Sequence, residues 1–212
     1  MRRLLAGITG HAIVLFARFI TAVRAIWSGV EPVPAQRVYF ANHASNGDFI
    51  LIWAVLPPRL RGMTRPVAGA DYWLTSPLRR FIGRDVFDAV LIERRPERRT
   101  EDPVAQMAGA LEAGQSLILF PEGTRNTTEA ALLPFKAGLY HLARAQPDVD
   151  LVPVWIENLN RVMPKGEIVP VPLLCTVTFG AALRIDEGEE KAAFLDRAFA
   201  ALLALRPARE GA

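Results

Sequence analysis

From residue 36 onward, short apolar runs alternate with segments whose apolar residues recur at helical spacing. The runs at 37–41, 66–70, 89–93, 116–120, 151–156 and 173–179 predict strands. Residues 49–56, 76–82, 138–145 and 189–205 predict helices, the first of them ended by Pro57-Pro58. Thr100-Glu101-Asp102-Pro103 opens a further helix, with Pro103 near its first turn and Gly114 as its stop. Val104, Met107, Ala108 and Leu111 give that helix one apolar face. The alternation predicts an α/β fold: a single domain over residues 31–212 with a largely parallel central sheet flanked by helices.

Residues 1–30 follow a different pattern, apolar almost throughout but interrupted by Arg18 and Arg24. No stretch of ~20 uncharged residues exists, which argues against a spanning helix. A signal peptide would also start with Arg2 and Arg3 before an apolar run, but no clean small-x-small cleavage site ends this one. On a helical projection Arg3, Arg18, Thr21, Arg24 and Ser28 gather on one side, with His11 at the margin. Leu4, Ile8, Leu15, Phe16, Phe19, Val23, Ile26 and Trp27 gather on the other. The segment therefore reads as a basic amphipathic helix able to lie in a membrane interface, with its arginines at anionic headgroups. The alternative is a helix packed on the protein's own core. Under the membrane reading, deleting residues 1–30 should release the protein from membranes. Pro32 and Pro34 end the segment.

Composition narrows the partners. At 212 residues with 51% apolar and 22% charged, the chain can bury a real core and is not disordered. The net charge is only +3, yet Arg supplies nearly all of the 25 basic residues. The guanidinium's planar fork suits phosphates and headgroups, so anionic partners are expected. Nucleic acid is not expected, because no zinc-finger or RNP-type pattern occurs and few aromatics interleave the basic runs. The arginines between Arg59 and Arg99 read mostly as a solvated surface, balanced by Asp85, Glu93 and Glu97, with a subset able to face anionic lipid or an acidic carrier protein. The single cysteine, Cys175, excludes an internal disulfide and a cysteine-cluster metal site, and it lies in an apolar run as a core residue.

Two turns carry the candidate chemistry, each where an apolar strand empties into a polar loop, the usual place for function in such sheets. In the first, Asn42-His43-Ala44-Ser45-Asn46-Gly47-Asp48, a histidine opens the turn and an aspartate closes it. On a continuous helix an i, i+5 pair lies about 140° apart and cannot meet. With His43 in the turn and Asp48 in the first helical turn, the two can fold together. Asp48 would then accept the Nδ1–H bond and set the tautomer, leaving Nε2 to take a proton from a substrate hydroxyl. By chemistry alone, a solvated loop histidine fits this spacing equally well. Of the three histidines, His11 falls on the amphipathic segment and His141 inside a helix. In the second turn, Phe120-Pro121-Glu122-Gly123-Thr124-Arg125, Gly123 permits positive φ, Thr124 offers a hydroxyl and Arg125 can grip a phosphate. An ordinary strand-end turn with a surface Arg is its rival reading.

Taken together the turns carry a resemblance. Asn42-His43-x-Ser45-x-x-Asp48 resembles the NHxSxxD motif of the glycerolipid acyltransferases, the family that includes lysophosphatidate and glycerol-3-phosphate acyltransferases. Phe120 to Arg125 matches that family's FPEGTR motif in full. Between them, Val90-Leu91-Ile92-Glu93-Arg94 is similar to its second block. Leu151 to Ile156 is similar to its fourth, and Phe135-Lys136-x-Gly138 to the basic step after FPEGTR. The ordered set covers roughly residues 36–180. Gly47 stands where a larger side chain is frequent, and Asn126 where Ser is common.

The resemblance implies direct acyl transfer from acyl-CoA or an acyl carrier protein, as co-substrate, to a lipid hydroxyl, with no other cofactor, no metal and no acyl-enzyme. His43 would be the general base and Asp48 its orienting partner. Arg94, Gly123 and Arg125 would hold the acceptor phosphate, beside Thr124, while Glu122 would order the loop or the acceptor. Lys136 could add a phosphate contact. Ser45 reads as a turn hydroxyl rather than a nucleophile, and no G-x-S-x-G turn occurs. The expected reaction acylates the sn-2 hydroxyl of 1-acyl-glycerol-3-phosphate to give phosphatidate, in phospholipid biosynthesis, at the cytoplasmic face of an inner membrane. The rivals are another lysolipid acceptor, such as lyso-ornithine lipid, a non-catalytic membrane-surface lipid-binding protein, and a hydrolase. The connection at 157–172 is expected to shape the acyl tunnel.

Overall fold

The computed structural model describes residues 1–45, 47–157 and 174–207. In chain order they form α1 (Arg2–Thr21), β1 (Arg24–Trp27), β2 (Arg37–Ala41), α2 (Asp48–Val55), α3 (Pro58–Gly62) and β3 (Thr64–Gly69). Then come α4 (Ala70–Trp73), α5 (Pro77–Arg80), a π-helical turn (Phe81–Val86), β4 (Val90–Ile92) and a 3₁₀ turn (Pro96–Arg98). The remainder is α6 (Pro103–Glu112), β5 (Ser116–Leu119), α7 (Gly138–Ala145), β6 (Asp150–Glu157), β7 (Thr176–Phe179) and α8 (Lys191–Leu203). The segment expected to shape an acyl tunnel lies, after Glu157, outside the described residues.

The described strands form one seven-stranded sheet in the order β1-β7-β6-β2-β5-β3-β4. Every pairing is parallel except β6 with β7, so β7 and β1 run against the other five. The α/β architecture with a largely parallel sheet is therefore as expected. Its central strand β2 is buried at every position, Arg37 included, because both faces of the sheet are covered. Val38 and Phe40 of β2 point into a core under α6, α7 and α8. Tyr39 and Ala41 point into a second core under α2 and the inner face of α1. β3 changes partner at a proline: Thr64 to Pro66 pair with β5, and Val67 to Gly69 pair with β4. Pro66, which has no N–H to give, sits just before the second pairing begins.

The largest difference from expectation is at the N-terminus. The apolar periodicity of residues 1–30 suggests one helix, but α1 stops at Thr21, and Ala22 turns left-handed at φ 41°. Arg24 to Trp27 then pair with β7 as the edge strand of the sheet. The stop is set from far along the chain. Cys175 donates its N–H to the Thr21 carbonyl at 3.0 Å, and Arg24 donates to the Cys175 carbonyl at 3.2 Å. Trp27 stacks on Phe179, with ring centroids 4.0 Å apart. Thr21, projected onto the polar side, is buried, and its hydroxyl donates to Ala17 O.

α1 itself has two contrasting faces. Ala6, Gly10 and Val14 are buried on one side, where Gly10 sits against Trp53 and Val86. On the opposite side Leu4, Leu5, Ile8, Leu15, Phe16 and Phe19 are exposed, Phe19 at 82%. By length and composition α1 is long and apolar enough to cross a membrane. Arg18 reaches back to the Ala54 carbonyl of α2 at 2.8 Å.

Candidate active site

Because β2, β3, β4 and β5 run parallel, their C-terminal ends meet along one edge of the sheet. A cavity of about 460 Å³ opens there. It is lined by His43 from the loop after β2, Gly69 at the end of β3 and Asp71 just after it, Arg94 after β4, and Gly123, Thr124 and Arg125 after β5. Phe49, Val67, Trp73, Ile92 and Leu119 supply apolar wall. Residues separated by up to 82 positions in sequence, His43 to Arg125, thus share one wall.

His43 lies in the turn and Asp48 is the first residue of α2, the arrangement that lets an i, i+5 pair meet. His43 Nδ1 is 2.8 Å from Asp48 Oδ2. The same oxygen accepts the backbone N–H groups of Ala44 at 2.7 Å and Ser45 at 2.9 Å. Asp48 is 1% exposed, so three donors compensate a buried carboxylate. That fixes the Nδ1–H tautomer, and Nε2 has no partner among the described residues. The imidazole stacks on the Phe120 ring, centroids 4.2 Å apart. Ser45 Oγ accepts the Gly47 N–H at 3.2 Å, a turn hydroxyl as expected.

Glu122 is held apart from the cavity. It is 1% exposed, and its two oxygens accept the backbone N–H groups of His43 at 2.7 Å and Leu133 at 2.8 Å. Of the two roles the resemblance offered, ordering the loop or the acceptor, the geometry matches the first. Burial pushes its carboxyl above the ordinary Glu range, against the opposing pull of the two N–H donors. Gly123 adopts φ +69°, the left-handed region that favours glycine, and the Lys136 side chain lies against it. Lys136 is not among the residues lining the cavity. Asn126 gives its N–H to the His43 carbonyl at 2.6 Å, while its side chain caps its own loop through Thr128 and Ala130.

Asn42 was legible as the first residue of the His43 motif, but its partner was not, and two further parts of the site, Leu133 and Asp71, carried no signal along the chain. Asn42 exchanges two hydrogen bonds with the backbone of Ile156, at 3.0 and 2.7 Å, and so ties the His43 loop to β6. Leu133 contributes only its backbone. Asp71 lines the cavity 3.7 Å from Arg94 and stands in a four-residue helix that the sequence pattern did not predict.

The family model described as Acyltransferase matches residues 24–157, well over half of the chain. The chain belongs to the Acyltransferase family. Among curated members it is 27% identical, over 194 residues, to a 1-acyl-sn-glycerol-3-phosphate acyltransferase of Limnanthes douglasii, covering 88% of this chain and 64% of that protein. It is 30% identical, over 138 residues, to the enzyme of the same name from Escherichia coli K12, covering 59% and 51% respectively. The chain thus spans between about half and two-thirds of the length of these acyltransferases. The fold is shared with a crystal structure of PlsC from Thermotoga maritima, the 1-acyl-sn-glycerophosphate acyltransferase. The TM-score is 0.65 at 18% identity, with 99% of this chain and 100% of that one covered.

Proposed function

We propose that this member of the acyltransferase family moves an acyl chain from a thioester to the sn-2 hydroxyl of 1-acyl-glycerol-3-phosphate. The observation that carries the reading is the shared cavity: the His43 Nε2, without a partner among the described residues, is on the same wall as Arg94 and Arg125. The acceptor's phosphate would sit between the two guanidinium forks, which recognise phosphate oxygens bidentately. Its hydroxyl would give its proton to His43 Nε2 as the oxygen attacks the thioester carbonyl. Collapse of the tetrahedral intermediate breaks the C–S bond, and the imidazolium returns the proton to the departing thiolate. Asp48 stabilises the imidazolium between these steps. The base, its orienting partner and the phosphate grip are the roles assigned to His43, Asp48, Arg94 and Arg125.

The other available nucleophiles fit a direct transfer. Ser45 is occupied in its turn, and Cys175 is a buried thiol pushed up to about 11. The donor would be acyl-CoA or an acyl carrier protein. The outward apolar face of α1 supports placement at a membrane surface, where the lysolipid resides, and the cytoplasmic side is where either donor would be met. Names of the curated relatives support the choice of acceptor.

The test is to incubate purified protein with labelled acyl thioester and a panel of lysolipids, then to identify the product. Labelled phosphatidate formed only when 1-acyl-glycerol-3-phosphate is present supports the reading. Free fatty acid released equally with or without acceptor would show a hydrolase instead.

A further inference from the structure

Among the described residues lining the cavity, Asp71 is the single carboxylate, and it sits on the acceptor-gripping side. Its Oδ1 lies 3.7 Å from Arg94 Nε, with the two side chains 37% and 54% exposed. The pair lies directly over Gly69: a Cβ there would run into both the Asp71 carboxylate and the Arg94 guanidinium. A residue without a side chain therefore stands where a Cβ would force this acid and base to shift from their present positions.

The charges on the cavity wall do not match a pure phosphate grip. Among the described residues its permanent charges are Arg94 and Arg125 on one side of the balance and Asp71 on the other. A phosphate monoester near neutral pH carries between one and two negative charges. Such a headgroup docking at Arg94 meets a like charge a few ångströms beyond the guanidinium. A headgroup that also carries an ammonium or another strong donor would meet a partner there instead. At half-exposed groups the effect is moderated by solvent, but it acts in opposite directions on the two kinds of acceptor.

Resting on the acyl-transfer reading above, we infer that Asp71 is an acceptor-specificity residue. It holds a fixed negative charge beside Arg94, weakens the site for dianionic phosphate monoesters, and admits lysolipids whose anion is accompanied by an ammonium. The acceptor range extends to zwitterionic lysolipids because of this one carboxylate.

The test compares wild type with Asp71→Asn, using 1-acyl-glycerol-3-phosphate and 1-acyl-lysophosphatidylethanolamine as acceptors with one acyl thioester. Asparagine keeps the shape and removes the charge at an exposed position. The ratio of kcat/KM for the phosphate monoester over the zwitterion should rise about 5- to 10-fold in the variant, through KM rather than kcat. Asp71→Glu, which restores the charge, should return the ratio toward wild type. An unchanged ratio in an active enzyme would overturn the role of Asp71 and leave acyl transfer standing. A wild-type protein that acylates neither lipid would overturn the acyl-transfer reading, and this inference with it.

Discussion

His43 is held by more contacts than a loop histidine ordinarily needs. Its ring is bonded through Nδ1 and stacked on Phe120, its N–H is given to Glu122, and its carbonyl accepts from Asn126. Replacing it with alanine removes the proposed base but none of the backbone contacts. Turnover should fall by ~10²–10⁴-fold, with an unchanged circular dichroism spectrum; near wild-type turnover would remove His43 from the mechanism. Glu122 belongs to the scaffold beneath. Glu122→Gln keeps one acceptor oxygen and leaves one of the two N–H donors unpaired, at a cost of about 1–3 kcal/mol. The raised carboxyl adds a pH signature. Because folding favours the neutral acid, that contribution is complete below the ordinary value of 4.5 and fades as pH rises through the raised one. Wild type should therefore lose stability relative to Glu122→Gln as pH rises across that window. Urea midpoints measured through the window check this, and a constant difference would contradict the burial effect.

At the scale of elements, α1 resolves a choice that its sequence left open. Packing on the core and presenting an apolar face are both true of it, on opposite sides. The inner side has Ala6 and Gly10, small enough for close approach to α2 and the π-helical turn, while the outer side carries Phe16 and Phe19. A fully buried Phe side chain contributes roughly 1.5–3 kcal/mol. Substituting both with serine should leave thermal stability nearly unchanged, since neither packs on the domain. Binding to phospholipid vesicles should weaken at least ~10-fold. Flotation with vesicles reads this directly, and undiminished flotation would place the membrane contact elsewhere.

For the whole molecule, removal of residues 1–30 tests less than the periodicity of that segment suggests. It would take away β1, expose the β7 edge and uncover the apolar surface around Trp53 and Val86. The truncated protein should unfold at lower temperature or aggregate, as light scattering during a thermal ramp would report. A cleanly folded, soluble product would mean that β1 and α1 contribute little to the core.

Local chemistry determined much of this protein from sequence alone. A strand apolar at every position, a proline at a helix start and a motif confined to six consecutive residues are readable because the residues that cause them are neighbours. The α/β class, the placement of His43 and Asp48 on either side of the β2–α2 turn, and the PEGTR loop at the end of β5 all belong to this kind. The tertiary structure decided what depends on residues far apart. Cys175 ends α1 by capturing the Thr21 carbonyl, so a helical period running to residue 28 gave way to a strand. Glu122 was legible as part of a motif, but only its backbone partners, His43 and Leu133, show that it lies beneath the cavity. Asp71 meets Arg94 because β3 and β4 pair side by side and Gly69 leaves them room, a relation that no spacing along the chain encodes. Period and motif report interactions within a few residues; a fold's long-range hydrogen bonds and charge pairs are decided when its strands are laid side by side.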